Sequence, residues 1–173
     1  MFGFFKKNPS KEEELFKSDF VNKYLIPEYM DITLFGKKEK IRVDAKSVGN
    51  NAERADADKI KYLCEELPRM TGEIQDKIRE FVEHNYTEFL EIFYGEMFDL
   101  EDENYAEIKN DYFNHTHNAV NKALSFMTPT SVFFTTSDMA EMVVFPNMDV
   151  EYDQSLKVNI TFEKEITVEF EIA

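Results

Sequence analysis

The chain has 173 residues, with 35 acidic side chains against 20 basic ones and a net charge of −15. Such a field repels phosphate backbones and anionic lipid, so nucleic-acid binding and membrane-surface binding both fall away, and a basic partner is attracted instead. Hydrophobic residues make up 43%, with 17 Phe and 8 Tyr, which is core material enough to exclude a chain disordered throughout.

The length suits one domain over residues 1–173, with residues 1–10 read as a tail. Cys64 is the single cysteine and has no intramolecular disulfide partner, which fits a reducing cytoplasm. In "MFGFFKKNPS" the apolar run is too short for a signal-peptide core and its lysines follow it, so no export signal is expected. Gly3 stands one place late for myristoylation, and no window approaches the ~20 apolar residues of a membrane span. The expectation is a cytoplasmic protein without integral membrane association. Phe2, Phe4 and Phe5 beside Lys6 and Lys7 fit a tail packed on the domain better than a membrane peg.

In chain order, a helical candidate around Glu12 to Tyr24 ends near Pro27. "DITLFGKKEKIRVD" then alternates Ile32 and Leu34 before Gly36, and Ile41 and Val43 after it, which predicts a hairpin. Ile60, Leu63, Cys64 and Leu67 recur at helical spacing up to Pro68, and Cys64 in that stripe reads as a buried small hydrophobe rather than a nucleophile. Thr71 is placed to cap a second helix with the stripe Ile74, Ile78, Phe81, Val82, Phe89, Phe93 and Met97. Unbroken, that helix would be about 40 Å long, so an interruption is expected near Gly95. His84 falls between the apolar positions and is expected to face solvent.

"FDLEDENYAEIKNDYF" carries Asp99, Glu101, Asp102 and Glu103 before Tyr105, Ile108 and Tyr112 restore helical spacing. Acidic residues in a first helical turn complement the helix dipole. A calcium loop starting at Asp99 would need Gly at its sixth position and Glu at its twelfth, where Asn104 and Asn110 stand. From Thr130 the chain reads as strand: "SVFFTT" and "EMVVF" flank a short turn. "LKVNITFEKEITVEFEIA" alternates Val158, Ile160 and Phe162, then Ile166, Val168, Phe170 and Ile172, against a polar row of Lys157, Asn159, Thr167, Glu169 and Glu171. The expected fold is therefore α+β, an antiparallel sheet made of the N-terminal hairpin and the C-terminal strands, packed against a central helical segment.

"DYFNHTHNAV" holds two of the three histidines, His115 and His117. On a helix, residues two apart point about 200° around the axis, so the two rings cannot share one metal ion, and the remaining histidine, His84, is distant in sequence. If residues 105–124 form a helix, His115 sits on its buried stripe of Tyr105, Ile108, Tyr112, Ala119 and Ala123, and the pairs four residues apart on that face are Asp111 with His115 and Glu107 with Asp111. No metal site, cofactor or catalytic set is expected: the five glycines never approach a phosphate-binding spacing, and no H-E-x-x-H occurs.

A strongly acidic α+β domain, rich in Phe and without catalytic signatures, resembles the small bacterial immunity proteins made against contact-delivered or polymorphic toxins. That resemblance implies a non-enzymatic protein that binds and neutralises a basic toxin, often a nuclease. Residues 88–111 concentrate nine acidic side chains against one basic, which points to Asp99, Glu101, Asp102, Glu103, Glu107 and Asp111 as the partner-binding surface, with Tyr105 and Tyr112 as aromatic anchors if they are exposed. Two alternatives stand beside it. One is a scaffold that self-assembles into a homo-oligomer through the edge of its C-terminal sheet, although outward glutamates discourage bare edge pairing. The other is a metal-dependent hydrolase using His84, His115 and His117.

Overall fold

The computed structural model describes residues 19–49, 52–94, 110, 117–146 and 154–172. The first described element, helix α1 (Asp19–Tyr24), ends at Leu25, whose positive φ of 54° is a left-handed helix stop. Strands β1 (Tyr29–Leu34) and β2 (Lys37–Asp44) follow as an antiparallel hairpin with Leu34 opposite Lys37. Its two-residue turn needs left-handed backbone at both positions. Gly36 adopts φ 80° without a side-chain penalty, while Phe35 is held at φ 49°. The Phe35 N–H donates to Oε1 of Gln75 at 2.7 Å, which anchors the turn to the helical layer.

Among the described residues four α-helices come next, and in the first three the buried apolar residues lie on the stripes that the sequence spacing sets. Helix α2 (Arg54–Glu66) buries Ala57, Ile60, Leu63 and Cys64. Burial pushes the Cys64 thiol up to about 12, so it is an inert core side chain. Helix α3 (Thr71–His84) buries Ile74, Ile78 and Val82. Thr71 is its first helical residue rather than its cap, a position that Met70 takes without a side-chain hydrogen bond. The stripe is interrupted at Asn85, earlier than Gly95, which lies outside the described residues. Asn85 leaves helical geometry at φ −115°, ψ 34°, and both its backbone N–H and its side-chain amide donate to the Phe81 carbonyl. Its own carbonyl accepts the Phe89 N–H, so one residue closes α3 and opens α4 (Tyr86–Tyr94). Helix α5 (His117–Leu124) precedes strands β3 (Met127–Thr136), β4 (Met139–Pro146), β5 (Gln154–Thr161) and β6 (Ile166–Ile172).

The fold is α+β. All described strands form one six-stranded sheet in the order β1-β2-β3-β4-β5-β6. The hairpin and the C-terminal strands join through one parallel pair, with Arg42 opposite Ser131 and Val43 opposite Val132, while every other pairing is antiparallel. The parallel junction follows from the intervening helices, which carry the chain back to the end at which β2 began. Cross-strand partners share a face, so the registers put Ile32, Val43, Val132, Met142 and Val158 on one side of the sheet, each 6% exposed or less. Helices pack on that side. The opposite side carries Asp31, Lys40, Arg42, Phe133, Lys157 and Glu169.

Helix α3 lies against both β1 and β6, the two edges of the sheet. Gln75, near its start, holds the β1–β2 turn, and Phe81, in its last turns, sets its ring edge-on against Phe170 of β6 at 5.0 Å. Phe93 of α4 approaches the same Phe170 ring at 6.3 Å. Because Ile78 sits midway along α3 and is fully buried, Ile78→Ala is expected to cost about 2–5 kcal/mol. Urea unfolding followed by circular dichroism measures this; a loss below about 1 kcal/mol, the scale of a surface change, would mean that α3 does not brace the sheet.

Candidate functional site

The residues that the sequence nominates for partner binding, Asp99, Glu101, Asp102, Glu103, Tyr105, Glu107, Asp111 and Tyr112, lie outside the described residues, as does His115. His117 opens α5. His84 is exposed at the end of α3, with Nδ1 2.7 Å from the Glu80 carbonyl oxygen. A carbonyl only accepts, so Nδ1 carries the proton in that contact. Among the described residues no three His, Cys, Asp or Glu side chains stand close enough to hold a metal ion, and no helix is long and apolar enough to cross a membrane.

The described surface shows how the charge is organised. Near the hairpin, Lys38 pairs with Asp31 at 2.9 Å, and Asp44 lies 3.6 Å from Arg42 and 3.9 Å from Lys46. The ammonium of Lys40 sits over the Tyr29 ring at 5.2 Å. Residues 29–44 carry four basic side chains against three acidic and residues 154–172 two against four, so the hairpin end of the sheet is the more basic one.

Helix α2 is tied to two turns of the sheet. In the β3–β4 turn, Asp138 accepts from Lys59 at 2.5 Å and the Ser137 hydroxyl donates to Asp56 at 2.7 Å. In the β5–β6 turn, Lys164 donates to Glu66 at 2.7 Å, and Arg69 reaches the same carboxylate at 2.5 Å. Lys164 stands at φ 68°. Phe162 belongs to this clasp rather than to the apolar row in which the sequence spacing puts it. Strand β5 ends at Thr161, and the Phe162 ring packs on Tyr62 of α2 at 5.1 Å with 38% of the residue exposed. Lys59 and Lys164 sit over these two rings, 5.9 Å from Phe162 and 5.8 Å from Tyr62.

The far edge of the sheet is acidic. Lys157 of β5 contacts both Glu169 at 3.0 Å and Glu171 at 3.2 Å on β6, one cation for two carboxylates. Asn159 donates to Glu169 at 3.0 Å, and this bond, with Lys157, lowers the Glu169 pKa. The glutamates raise the pKa of Lys157 in turn. The signal for this arrangement was present in the alternating polar row of "ITVEFEI", but period alone does not say which strand is the edge.

The Glu66 clasp has a pH signature. Hydrogen bonds from Lys164 and then Arg69 hold its carboxyl below the ordinary 4.5. A depressed carboxylate contributes stability above its unfolded value and loses it as pH falls through the folded one. The thermal midpoints of the parent and Glu66→Gln should therefore differ at neutral pH and converge as pH drops below 4.5. A gap that stays constant into acid would show that the ion pairs contribute nothing.

No family model matches the chain, and neither a curated protein nor a solved structure matches it.

Proposed function

We propose that this chain is a non-enzymatic, acidic protein-binding module of the bacterial immunity type, working in the cytoplasm by binding and neutralising a basic protein, with a nuclease toxin as the natural partner. The observation that carries this reading is the distribution of charge. The chain holds a net −15, and residues 88–111 alone hold nine acidic side chains against one basic. Within the described surface, Lys38, Lys59, Lys77, Lys157 and Lys164 already lie within 3.2 Å of carboxylates, so these five cations are matched locally. An excess of one sign raises the encounter rate with a partner of the other and orients the approach. Asp99, Glu101, Asp102, Glu103, Glu107 and Asp111 supply the attraction in this reading, and Tyr105 and Tyr112 the slow dissociation.

The test is an affinity pull-down of tagged protein from its host lysate, washed at low and then high salt, followed by kinetics with the retained partner. One basic protein should be retained at low salt and shed at high salt, with an association rate that falls about tenfold or more as the charges are screened. Reversing Asp99, Glu101, Asp102 and Glu103 to Lys should remove most of that salt dependence. An association rate indifferent to ionic strength would overturn the reading.

A further inference from the structure

We infer that the outer edge of β6 is a docking strand for an extended segment of a partner in which basic and apolar side chains alternate. The inference rests on the reading of the chain as a binder of basic proteins and gives that binding a second, defined surface.

Among the described residues β6 pairs only with β5. An edge strand presents backbone N–H and C=O groups to any chain that runs alongside. Its two side-chain rows are unequal. On the helical side, Ile166, Val168 and Phe170 are only half-buried, whereas their cross-strand neighbours Ile160, Val158 and Leu156 are fully buried. A strand laid about 4.8 Å away with apolar side chains on that face would complete the cover. On the other side, Glu169 and Glu171 keep 52% and 37% of their side chains exposed and share the single cation of Lys157. That row has carboxylate oxygens to spare for incoming Lys or Arg, and Arg matches a carboxylate with two parallel hydrogen bonds.

The opposite edge lacks both features. Met30, Ile32 and Leu34 of β1 are buried, and Asp31 is already paired with Lys38. A second copy is a poor occupant of β6. Antiparallel pairing of two β6 strands sets one glutamate row beside the other, and each molecule brings a charge of −15. The glutamates that block self-pairing leave a basic segment as the strand that fits.

The probe is a capped peptide as long as β6, 7 residues, that alternates Val and Arg. Its control has the same composition with Val and Arg in two blocks. Binding to the full chain is followed by backbone amide shifts and amide hydrogen exchange. The alternating peptide should saturate, slow the exchange of β6 amides, and bind several-fold more tightly than the blocked one. Glu169→Lys with Glu171→Lys should weaken it about tenfold and should gain binding to a Val–Glu alternating peptide, which also shows the variant is folded. Equal, salt-sensitive binding of both peptides with no change at β6 overturns the docking strand and leaves the acidic-partner reading standing. Protection of β6 in peptide-free protein, with the mass of a dimer, gives the edge to a second copy and overturns it as well. Failure of both peptides and of any basic protein to bind at low salt removes both readings together.

Discussion

One helix sets the limits within which the sheet is built. A flat six-stranded sheet is about 24 Å wide between its edge strands, and α3, with 14 residues, is about 20 Å long. The helix nevertheless packs on β1 and on β6. Either it runs across the strands or the sheet curls toward it, and in both cases the fully buried Ile74, Ile78 and Val82 face a surface assembled from residues far apart in sequence. The Gln75 bond to the hairpin turn and the Phe81 ring on Phe170 are the two ends of that brace. The parallel pairing of β2 with β3 belongs to the same constraint. The helical segment lies between the hairpin and the C-terminal strands in sequence, so the β2–β3 pairing is the longest-range one among the described strands and carries the largest loop-closure cost.

The surface follows a different rule from the core. Most of its ion pairs are exposed and individually contribute little stability, but their placement is not uniform. Around α2 they gather with aromatic contacts into a clasp over two sheet turns, where Lys59 and Lys164 each serve one carboxylate and one ring. On β6 a single lysine is divided between two glutamates. The first arrangement balances its charges; the second leaves negative charge at an edge that, among the described residues, has no strand beside it.

The elements with strong periodicity were readable directly. Ile60, Leu63 and Cys64, like Ile74, Ile78 and Val82, sit on the buried faces that their 3.6-residue spacing dictates, and the turn at Gly36 falls between the two alternating runs of the hairpin. The errors have physical causes. Asn85 breaks the long helical stripe through a side-chain amide bonded to the Phe81 carbonyl, an interaction that competes with the helix but leaves the apolar period intact. Phe162 continues the alternation of β5 by type, yet the tertiary contact with Tyr62 takes it into the clasp. Strand order, the parallel junction and the identity of the edges are set by long-range pairing that no local window contains. The acidic and aromatic residues between 99 and 112 stand out by charge density and helical spacing alone, and they lie outside the described residues.

The brace and the edge are coupled. Phe170 is the only member of the β6 apolar row with a described ring contact to the helical layer, through Phe81 and Phe93, and those contacts hold one end of the strand in extended geometry before anything binds. Binding to a strand that is already ordered avoids much of the conformational entropy that ordering a loop would cost. The remaining cost lies in the incoming segment, and its basic residues approach along the gradient set by a strongly acidic molecule. A sheet edge that is half-covered on its apolar side and acidic on the other is thus selective in three separate terms: backbone pairing asks for an extended chain, the Ile166 and Val168 row asks for apolar side chains at every second position, and Glu169 with Glu171 asks for cations between them.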